Sequence, residues 1–174
     1  SGIRALDLTR ILAGPITSRT LAEHGADVLM VTAPHLPQVL EHVIDTSHGK
    51  RSTYLDFDKA DELATMKRLM RGADVFSQGY RPGALARYGL GPEELARERP
   101  GIVYVSISCY GYGGPLSARR GWEQMGQACT GICHDNGEPS RPKLAPAAVC
   151  DYTTGYNGAY GVLLALARRA REGG

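Results

Sequence analysis

The segment that decides the fold is residues 3–32, IRALDLTRILAGPITSRTLAEHGADVLMVT. Residues 3–9 predict a first β-strand, and a turn leads into a helix from about Ile16 to His24, which Gly25 ends as a C-cap. Residues 26–32 are apolar enough for a strand that is covered on both faces, as parallel strands are. A strand, a helix and a second strand of this kind form a βαβ unit, so we expect an α/β fold with a mostly parallel sheet and flanking helices.

Strand and helix patterns alternate along the rest of the chain. Further strands are predicted at residues 53–57, 73–78 and 102–108. Further helices are predicted at residues 58–71 with Asp58 as the cap, and at residues 84–88, 92–98, 122–130 and 151–170. Residues 33–50 lack periodicity and predict a loop with room for one helical turn, and residues 134–146 are polar and rich in turn formers.

Composition limits the classes of function. The chain has 174 residues, 43% of them hydrophobic, and a formal net charge of +2, which fits one globular domain and gives no field to attract nucleic acid or an anionic membrane. The four cysteines have no second pair at metal-ligand spacing, so we expect free thiols and no metal. No run is long enough to cross a membrane and the start does not resemble a secretion signal, so a cytoplasmic protein is expected.

Asp151 stands between a turn-forming approach, residues 144–150, and a glycine-spaced apolar run, residues 152–170, that predicts a buried helix. A carboxylate at a helix N-terminus is held in its ionised form by free backbone N–H groups and the macrodipole, which suits a nucleophile. Aspartate is also a preferred N-cap residue. The local pattern leaves both interpretations open.

The loops carry no complete nucleotide-binding motif. The turn after the first strand has one glycine, Gly14, and residues 109–115 have three glycines at a strand's carboxyl end but no P-loop ending. No nucleophile elbow is present either. From spacing alone the chain is an α/β domain whose loops lie at the usual ligand edge of the sheet.

Separated segments, in order, resemble the class III coenzyme A transferases, the family of the formyl-CoA and carnitine CoA transferases and α-methylacyl-CoA racemase. The segments are residues 3–15 (IRALDLTRILAGP), 21–28 (LAEHGADV), 49–52 (GKRS) with 55–56 (LD), 72–75 (GADV), 80–85 (YRPGAL), 89–90, 100–104 (PGIVY), 111–113, 127–128 and Asp151. The resemblance extends over essentially the whole chain, and it implies a Rossmann-like sheet.

The resemblance implies a covalent mechanism at Asp151. In the family, the matching carboxylate attacks an acyl-CoA thioester to give a mixed anhydride. The CoA thiolate then forms an aspartyl-CoA thioester, which an incoming carboxylic acid attacks. Dividing the exchange in this way keeps the energy of the thioester in the enzyme bond. The implied partners are acyl-CoA and a carboxylic acid, with coenzyme A as a cosubstrate and no metal, in a site closed to water.

The CoA-binding residues implied by the resemblance fall in two segments. Ile11, Leu12 and Ala13 match the backbone along CoA, with Leu12 where some transferases have Gln. The second segment contains Gly79, Tyr80, Arg81 and Arg87, whose arginines are either phosphate ligands or solvated surface charges.

Several positions depart from the family pattern. Gly79 replaces a frequent Asn, Ser47-His48 replaces Asn-Arg, and Thr32-Ala33 replaces Glu-Arg, so a usual CoA-facing arginine is missing. His48 is either a substitute positive partner or an ordinary exposed loop histidine.

Transferase and racemase differ at one position. Family racemases have a His after the glycine that matches Gly121, and here that residue is Trp122. We therefore expect a transferase whose acyl pocket is shaped by Trp122 and Glu123, with core packing as the alternative role for Trp122. The alternatives are a racemase or isomerase that uses Asp151 and Glu123, or a catalytically silent CoA-binding domain.

Family members are considerably longer than this chain and carry a small domain in the C-terminal half. Residues 1–174 are therefore expected to be a single CoA-binding and catalytic α/β unit of a longer protein. Family transferases are interlocked dimers, so the full-length form is expected to be a homodimer.

Overall fold

A computed structural model describes residues 2–173 of the chain. All pairings in its single sheet are parallel, in the order β3-β2-β1-β4-β5. The strands are β1 (Arg4–Leu8), β2 (Asp27–Thr32), β3 (Lys50–Tyr54), β4 (Val75–Gln78) and β5 (Val103–Ser106). The predicted α/β class with a parallel sheet is confirmed.

Seven α-helices accompany the sheet within the described residues. They are α1 (Ala13–Glu23), α2 (Leu40–Thr46), α3 (Ala60–Arg71), α4 (Pro92–Glu98), α5 (Glu123–Cys129), α6 (Ile132–Asp135) and α7 (Val149–Glu172), and a 3₁₀ turn spans Ala86–Tyr88.

Each face of the sheet has its own core. In β1, the side chains of Leu6 and Leu8 pack with Met66, Met70 and other residues on the α3–α4 side. Ala5 points the opposite way, into a cluster with residues of α1 and α7 that includes Val162. This alternation along one strand is the period of two that a sheet covered on both faces requires.

The strand order places a topological switch between β1 and β4. The chain adds β2 and β3 on one side of β1, then returns to add β4 and β5 on the other. Leu8 and Gln78, the last residues of β1 and β4, are register partners, so the loops that follow them leave the sheet side by side. In open α/β sheets the crevice beyond such a switch is where ligands bind.

Helix α7 is held against α1 by glycines. A Cβ added to Gly155 would lie 2.6 Å from Ile16 Cβ and 2.7 Å from Ala13 O, and the hydroxyl of Thr17 donates to Gly155 O at 3.0 Å. At its other end, Arg169 donates to Asp74 at 2.7 Å and to Gly101 O at 2.9 Å. The axis of α7 is thus fixed at both ends.

Several predictions differ from the structure. Strand β3 covers residues 50–54 instead of 53–57, and residues 40–46 form a complete helix inside the predicted loop. Asp58 does not cap α3: the cap residue is Lys59, and the Asp58 carboxylate accepts a hydrogen bond from the Tyr88 hydroxyl at 2.7 Å. Helix α7 begins at Val149, two residues before Asp151.

The prediction that α7 is buried is wrong along one face. Gly155, Ala159 and Val162 are buried, whereas Tyr156, Tyr160 and Leu164 are more than half exposed. The apolar residues of α7 therefore form two faces: one packs against the rest of this chain, and the other is exposed.

Candidate active site

A buried ion pair holds the turn that follows β1 in place. Lys50 Nζ lies 2.9 Å from an Asp7 carboxylate oxygen, and the side chains are 1% and 0% exposed. The same carboxylate accepts hydrogen bonds from the Thr9 backbone and from the hydroxyls of Thr9 and Ser18. Lys50 also donates to Pro15 O at 2.9 Å, inside the first turn of α1. This network determines where the turn lies.

Ile11 in that turn has a strained backbone. Its φ is +74°, a left-handed conformation that a β-branched residue rarely adopts. Leu12 is buried as the cap residue of α1, and Ala13 is the first residue of that helix. Strain of this kind is retained where the surroundings impose it, most often at functional sites. The turn predicted to face CoA therefore has a rare backbone conformation at Ile11, and the buried pair between Lys50 and Asp7 holds it in place.

Asp151 lies in the first turn of α7 and does not cap it. The cap residue is Ala148, and no side-chain capping bond is made by it. Within residues 2–173 the Asp151 carboxylate has no hydrogen-bond partner, and the residue is half-buried. Residues four apart share a helical face, so Asp151 lies one turn before Gly155, on the face that contacts Ala13.

Glu123, at the start of α5, caps α7 from a distance in sequence. Its carboxylate accepts hydrogen bonds from the backbone N–H of Asp151 at 2.6 Å and of Cys150 at 3.0 Å. The Gln127 amide donates to the same carboxylate at 2.6 Å. Burial alone would raise the pKa of Glu123, but these hydrogen bonds outweigh it and lower that pKa. The residue is 8% exposed, so its carboxylate is a fixed, buried charge.

The pKa of Asp151 is shifted in the opposite direction from that of Glu123. Burial, and then the negative charge of Glu123, raise the pKa of Asp151 to about 6, while the nearby His42 acts in the opposite direction. Two carboxylates in neighbouring environments thus have pKa values moved apart, an arrangement typical of sites that assign different roles to paired acids.

Trp122 and Glu123 are adjacent in sequence but point to different surroundings. Trp122 is 56% exposed, so plain core packing does not describe it. Its carbonyl caps α5 by accepting the Gly126 N–H at 3.0 Å. The contact between Glu123 and α7 gives that residue a structural role. Its assignment to an acyl pocket, like that of Trp122, stays a prediction.

The predicted second CoA segment borders a cavity of about 370 Å³. Tyr80, Arg81 and Arg87 line it, together with His35, which follows β2 in the chain. The Arg10 guanidinium lies 5.7 Å from the centre of the Tyr80 ring, so the loops after β1 and β4 touch. Gly79 is exposed at the end of β4 and does not appear in the lining.

A smaller cavity of about 30 Å³ lies between the turn after β1, the end of β2 and helix α2. Ile11 and His42 are in its wall, and Thr32 lies in the walls of both cavities. The candidate site therefore extends from the arginine-lined cavity, past the strained turn, to the first turn of α7.

The family model for CoA-transferase family III matches residues 1–174. The chain belongs to CoA-transferase family III. It is 40% identical to an acetyl-coenzyme A transferase of Hypoxylon pulicicidum over all of this chain and 30% of that protein. It is 34% identical to the succinyl-CoA:glutarate CoA-transferase of Mus musculus over 99% of this chain and 42% of that protein.

Solved structures agree with this membership. A family protein from Brucella suis superposes with a TM-score of 0.90 at 33% identity, over 99% of this chain and 50% of that one. The chain thus spans between about a third and a half of the length of the relatives it matches. The family resemblance inferred from the segments is confirmed.

Three residues of the site have no signal in the sequence beyond the family pattern. His42 lies in a segment predicted as loop, and its closeness to Asp151 arises only from the packing of α2. Gln127 connects Glu123 to the segment that leads into α7. Its amide nitrogen donates to Glu123, and its amide oxygen accepts a hydrogen bond from the Ala145 N–H at 2.8 Å. The strain at Ile11 could not be foreseen, since nothing in the residue type predicts a positive φ.

Two kinds of feature are absent from residues 2–173. No helix there is both long and apolar enough to cross a bilayer. No group of three or more His, Cys, Asp or Glu side chains is placed there to hold a metal ion.

Proposed function

We propose that the intact protein transfers coenzyme A between an acyl-CoA and a carboxylic acid, with Asp151 as the covalent nucleophile. The observation that carries this proposal is the position of Asp151. Its carboxylate is half-buried and has no hydrogen-bond partner within residues 2–173, and it lies one helical turn from the contact between Gly155 and Ala13. The family membership and the names of its relatives support the same reaction class.

The chemistry requires a nucleophile that is both available and reactive. Asp151 attacks the thioester carbonyl, and the CoA thiolate leaves as the anhydride forms. The thiolate then attacks the aspartyl carbonyl, which releases the first carboxylic acid and leaves an aspartyl-CoA thioester. Burial and Glu123 raise the pKa of Asp151 to about 6, so near neutral pH the carboxylate is ionised yet more basic than an ordinary aspartate. Greater basicity favours attack on a carbonyl.

Coenzyme A is proposed to lie along the crevice beyond β1 and β4. Its phosphates would meet Arg81 and Arg87 at the larger cavity, and its pantetheine arm would follow the backbone of Ile11 to Ala13 toward Asp151. The cavity of about 370 Å³ and its two arginines support this orientation.

The racemase alternative requires a second acid or base opposite Asp151. Glu123 is poorly suited to that role, because its carboxylate already accepts hydrogen bonds from two backbone N–H groups and Gln127, and its pKa is lowered. We therefore expect no exchange of the acyl α-hydrogen with solvent deuterium.

We also infer that the intact protein forms a homodimer in the cytoplasm. Exposed aromatic and aliphatic side chains on one face of α7, among them Tyr156, Tyr160 and Leu164, support burial against further protein. Light scattering on the intact protein measures the mass directly, and a monomer at all concentrations would contradict the dimer.

Trapping of the intermediate tests the reaction. The intact protein is incubated with acyl-CoA, treated with hydroxylamine, and its peptides are analysed by mass spectrometry. A hydroxamate at Asp151 is expected, with none in Asp151→Asn. Asp135→Asn is the matched control, because that carboxylate is 86% exposed on α6 and outside the site. A protein that binds CoA without modification at Asp151 is the silent binding domain, and the proposal is then wrong.

A further inference from the structure

The loop between β5 and α5 is closed at its base beside the proposed nucleophile. We define it as residues 109–121, which include the glycine-rich segment that follows β5. The thiol of Cys109 lies 3.9 Å from the carbonyl oxygen of Trp122. Glu123, the next residue, accepts a hydrogen bond from the Asp151 N–H at 2.6 Å. The two ends of the loop therefore meet beside the first turn of α7, as the ends of a compact surface loop do.

The tip of the loop has almost no packing. Residues 111–120 are exposed, apart from the half-buried Ser117. A Cβ added to Gly111, Gly113 or Gly114 would meet nothing within 4 Å. The φ angles of Gly111 and Gly114 are +73° and +138°, which glycine adopts without strain. The position of the tip must therefore depend on very few contacts.

One hydrogen bond connects residues 111–120 to the rest of the chain within residues 2–173. In it, the amide nitrogen of Gln78, a residue only 5% exposed, donates to the Tyr112 hydroxyl at 3.0 Å. Gln78 is the last residue of β4, so this bond attaches the tip at the crevice beyond the topological switch. The loop thus extends from the first turn of α7 to that crevice.

The Gln78 amide is held in place by two further hydrogen bonds, one at each end of the amide group. Its oxygen accepts the Tyr80 N–H at 2.7 Å, and its nitrogen also donates to the Ser106 hydroxyl at 3.0 Å. Tyr80 belongs to the predicted CoA segment and lines the larger cavity. One buried side chain therefore joins that segment to the loop whose base lies beside Asp151.

A loop in this position matters because the proposed intermediates react with water. Water attack on the aspartyl-CoA thioester forms a C–O bond and breaks the C–S bond, which restores the Asp151 carboxylate and releases CoA as a free thiol with one proton. Water attack on the anhydride also restores the carboxylate and leaves CoA free. Transfer to a carboxylic acid releases no free thiol. Loops that close over an active site exclude water from such steps.

We propose that residues 109–121 form a lid that shields the aspartyl intermediate from water, and that the hydrogen bond between Gln78 and Tyr112 holds this lid closed. Gln78 and Tyr112 are thus positioning residues, which act through the loop. The inference rests on the proposed transferase function and adds how its intermediate is protected.

The ratio of hydrolysis to transfer tests the lid. The intact protein is given an acyl-CoA and a carboxylic acid; free thiol measures hydrolysis, and the newly formed acyl-CoA measures transfer. Tyr112→Phe removes only the hydroxyl and should raise this ratio about fivefold, because one hydrogen bond changes a closed-to-open equilibrium by about that factor. Tyr54→Phe is the matched control, since that tyrosine is exposed on β3 and outside the loop. Its ratio should equal that of the unmodified protein.

Variants of Gln78 separate its hydrogen bonds from the size of its side chain. Gln78→Met has a similar length but no comparable hydrogen-bonding group, and it should raise the ratio at least as much as Tyr112→Phe. Gln78→Glu can accept the same Tyr80 N–H and the protons of both hydroxyls, so its ratio should be close to that of the unmodified protein. If Gln78→Met does not fold, Tyr112→Phe decides, because that side chain is 45% exposed.

Proteolysis reports on the loop without any reaction. Arg119 and Arg120 are exposed near the end of the loop, so trypsin can cleave there when the loop opens. In the intact protein, cleavage at these residues should be about fivefold faster in Tyr112→Phe, by the same hydrogen-bond factor, and unchanged in Tyr54→Phe. An unchanged cleavage rate in Tyr112→Phe overturns the proposal.

An unchanged ratio of hydrolysis to transfer in Tyr112→Phe also overturns it, as do equal decreases of both rates, which indicate a role in folding alone. Hydroxylamine trapping separates the lid from the reaction. An adduct at Asp151 in the unmodified protein, with an unchanged ratio in Tyr112→Phe, refutes the lid alone. No adduct in the unmodified protein refutes the transferase function and the lid with it.

Discussion

The carboxylate of Glu123 lies 2.6 Å from the backbone nitrogen of Asp151, and one side chain therefore both caps the helix and acts on the charge of the carboxylate that the helix carries. The hydrogen bonds that the Glu123 carboxylate accepts lower its pKa, so Glu123 is negatively charged near neutral pH. That charge is the second cause, after burial, of the raised pKa of Asp151.

Replacing Glu123 by Gln is expected to shift the acid limb of activity. In the unmodified protein, activity should fall as the pH drops through about 6, because Asp151 becomes protonated there. In Glu123→Gln the pKa of Asp151 should decrease, since one of its two causes is removed, and the limb should move to lower pH. The pH dependence of kcat/KM measures this, with the exposed Glu41→Gln as the control. An unmoved limb would show that Glu123 has no electrostatic effect on Asp151.

Asp151→Asn should change stability in a pH-dependent way. The folded-state pKa of about 6 is above the ordinary value of 3.8, so the carboxylate is most compatible with folding when protonated. Its stabilising contribution is complete below 3.8 and is lost as the pH rises through about 6. The Asn variant does not ionise, and it should therefore be more stable than the parent at pH 8 by a larger margin than at pH 5. Urea unfolding at both pH values measures the margin, and equal margins would contradict the raised pKa.

Lys50→Met should be strongly destabilising. It leaves the Asp7 carboxylate buried and unpaired, at a cost of about 3–5 kcal/mol in the free energy of unfolding. Arg51→Met is the matched control one residue away: its pair with Asp27 is 73% and 49% exposed, and its loss should cost no more than about 1 kcal/mol. Chemical denaturation of both variants gives the comparison. Similar losses would mean that the buried pair does not stabilise the turn.

Replacing each of two glycines of α7 by Ala should change the stability of the fold in opposite directions. In Gly155→Ala the new Cβ would lie 2.6 Å from Ile16 Cβ, so α7 must move from α1, at a cost of about 1–3 kcal/mol. In Gly161→Ala the Cβ meets nothing within 4 Å, and the better helix former should stabilise by about 0.5–1 kcal/mol. Thermal unfolding measures both. Since Asp151 lies one turn from Gly155, trapping at Asp151 should also decrease in Gly155→Ala only.

Arg81→Gln and Arg87→Gln should weaken CoA binding and reduce its dependence on salt. Each removes a positive charge from the wall of the larger cavity, and pairs between exposed charges are screened by ions. Calorimetric titration of CoA at two ionic strengths measures both effects. Arg71→Gln, whose side chain pairs with Glu98 outside that wall, is the control. Unchanged affinity in both cavity variants would place the CoA phosphates elsewhere.

The sequence predicted those elements whose signals are local. The β1-α1-β2 unit follows from apolar strands around a glycine-ended helix, and its boundaries differ from the structure by only a few residues. Strand β3 was displaced because its residues, KRSTY, are polar at a sheet edge and carry no apolar alternation. Helix α2 was missed because it is largely exposed and is held partly by the pair between Asp45 and Arg19.

The candidate site was predictable only as far as the family pattern reaches. That pattern located Asp151, whereas the reason for its raised pKa comes from Glu123, which is distant in sequence and meets α7 only in the folded chain. The N-cap role that the local pattern left open for Asp151 is not found, because α7 begins at Val149 and Glu123 accepts the N–H groups of Cys150 and Asp151. The closeness of His42 to Asp151 likewise depends on tertiary packing, here of α2.

The attachment of α5 to the start of α7 also determines whether Asp151 has its raised pKa. Without α5 docked, Asp151 would lose the neighbouring Glu123 anion, and its pKa would fall toward the ordinary value of 3.8. The raised basicity of Asp151 therefore depends on the docking of a short helix that precedes α7 in the chain. A local opening that releases α5 would weaken the nucleophile without touching the sheet that carries the turn after β1.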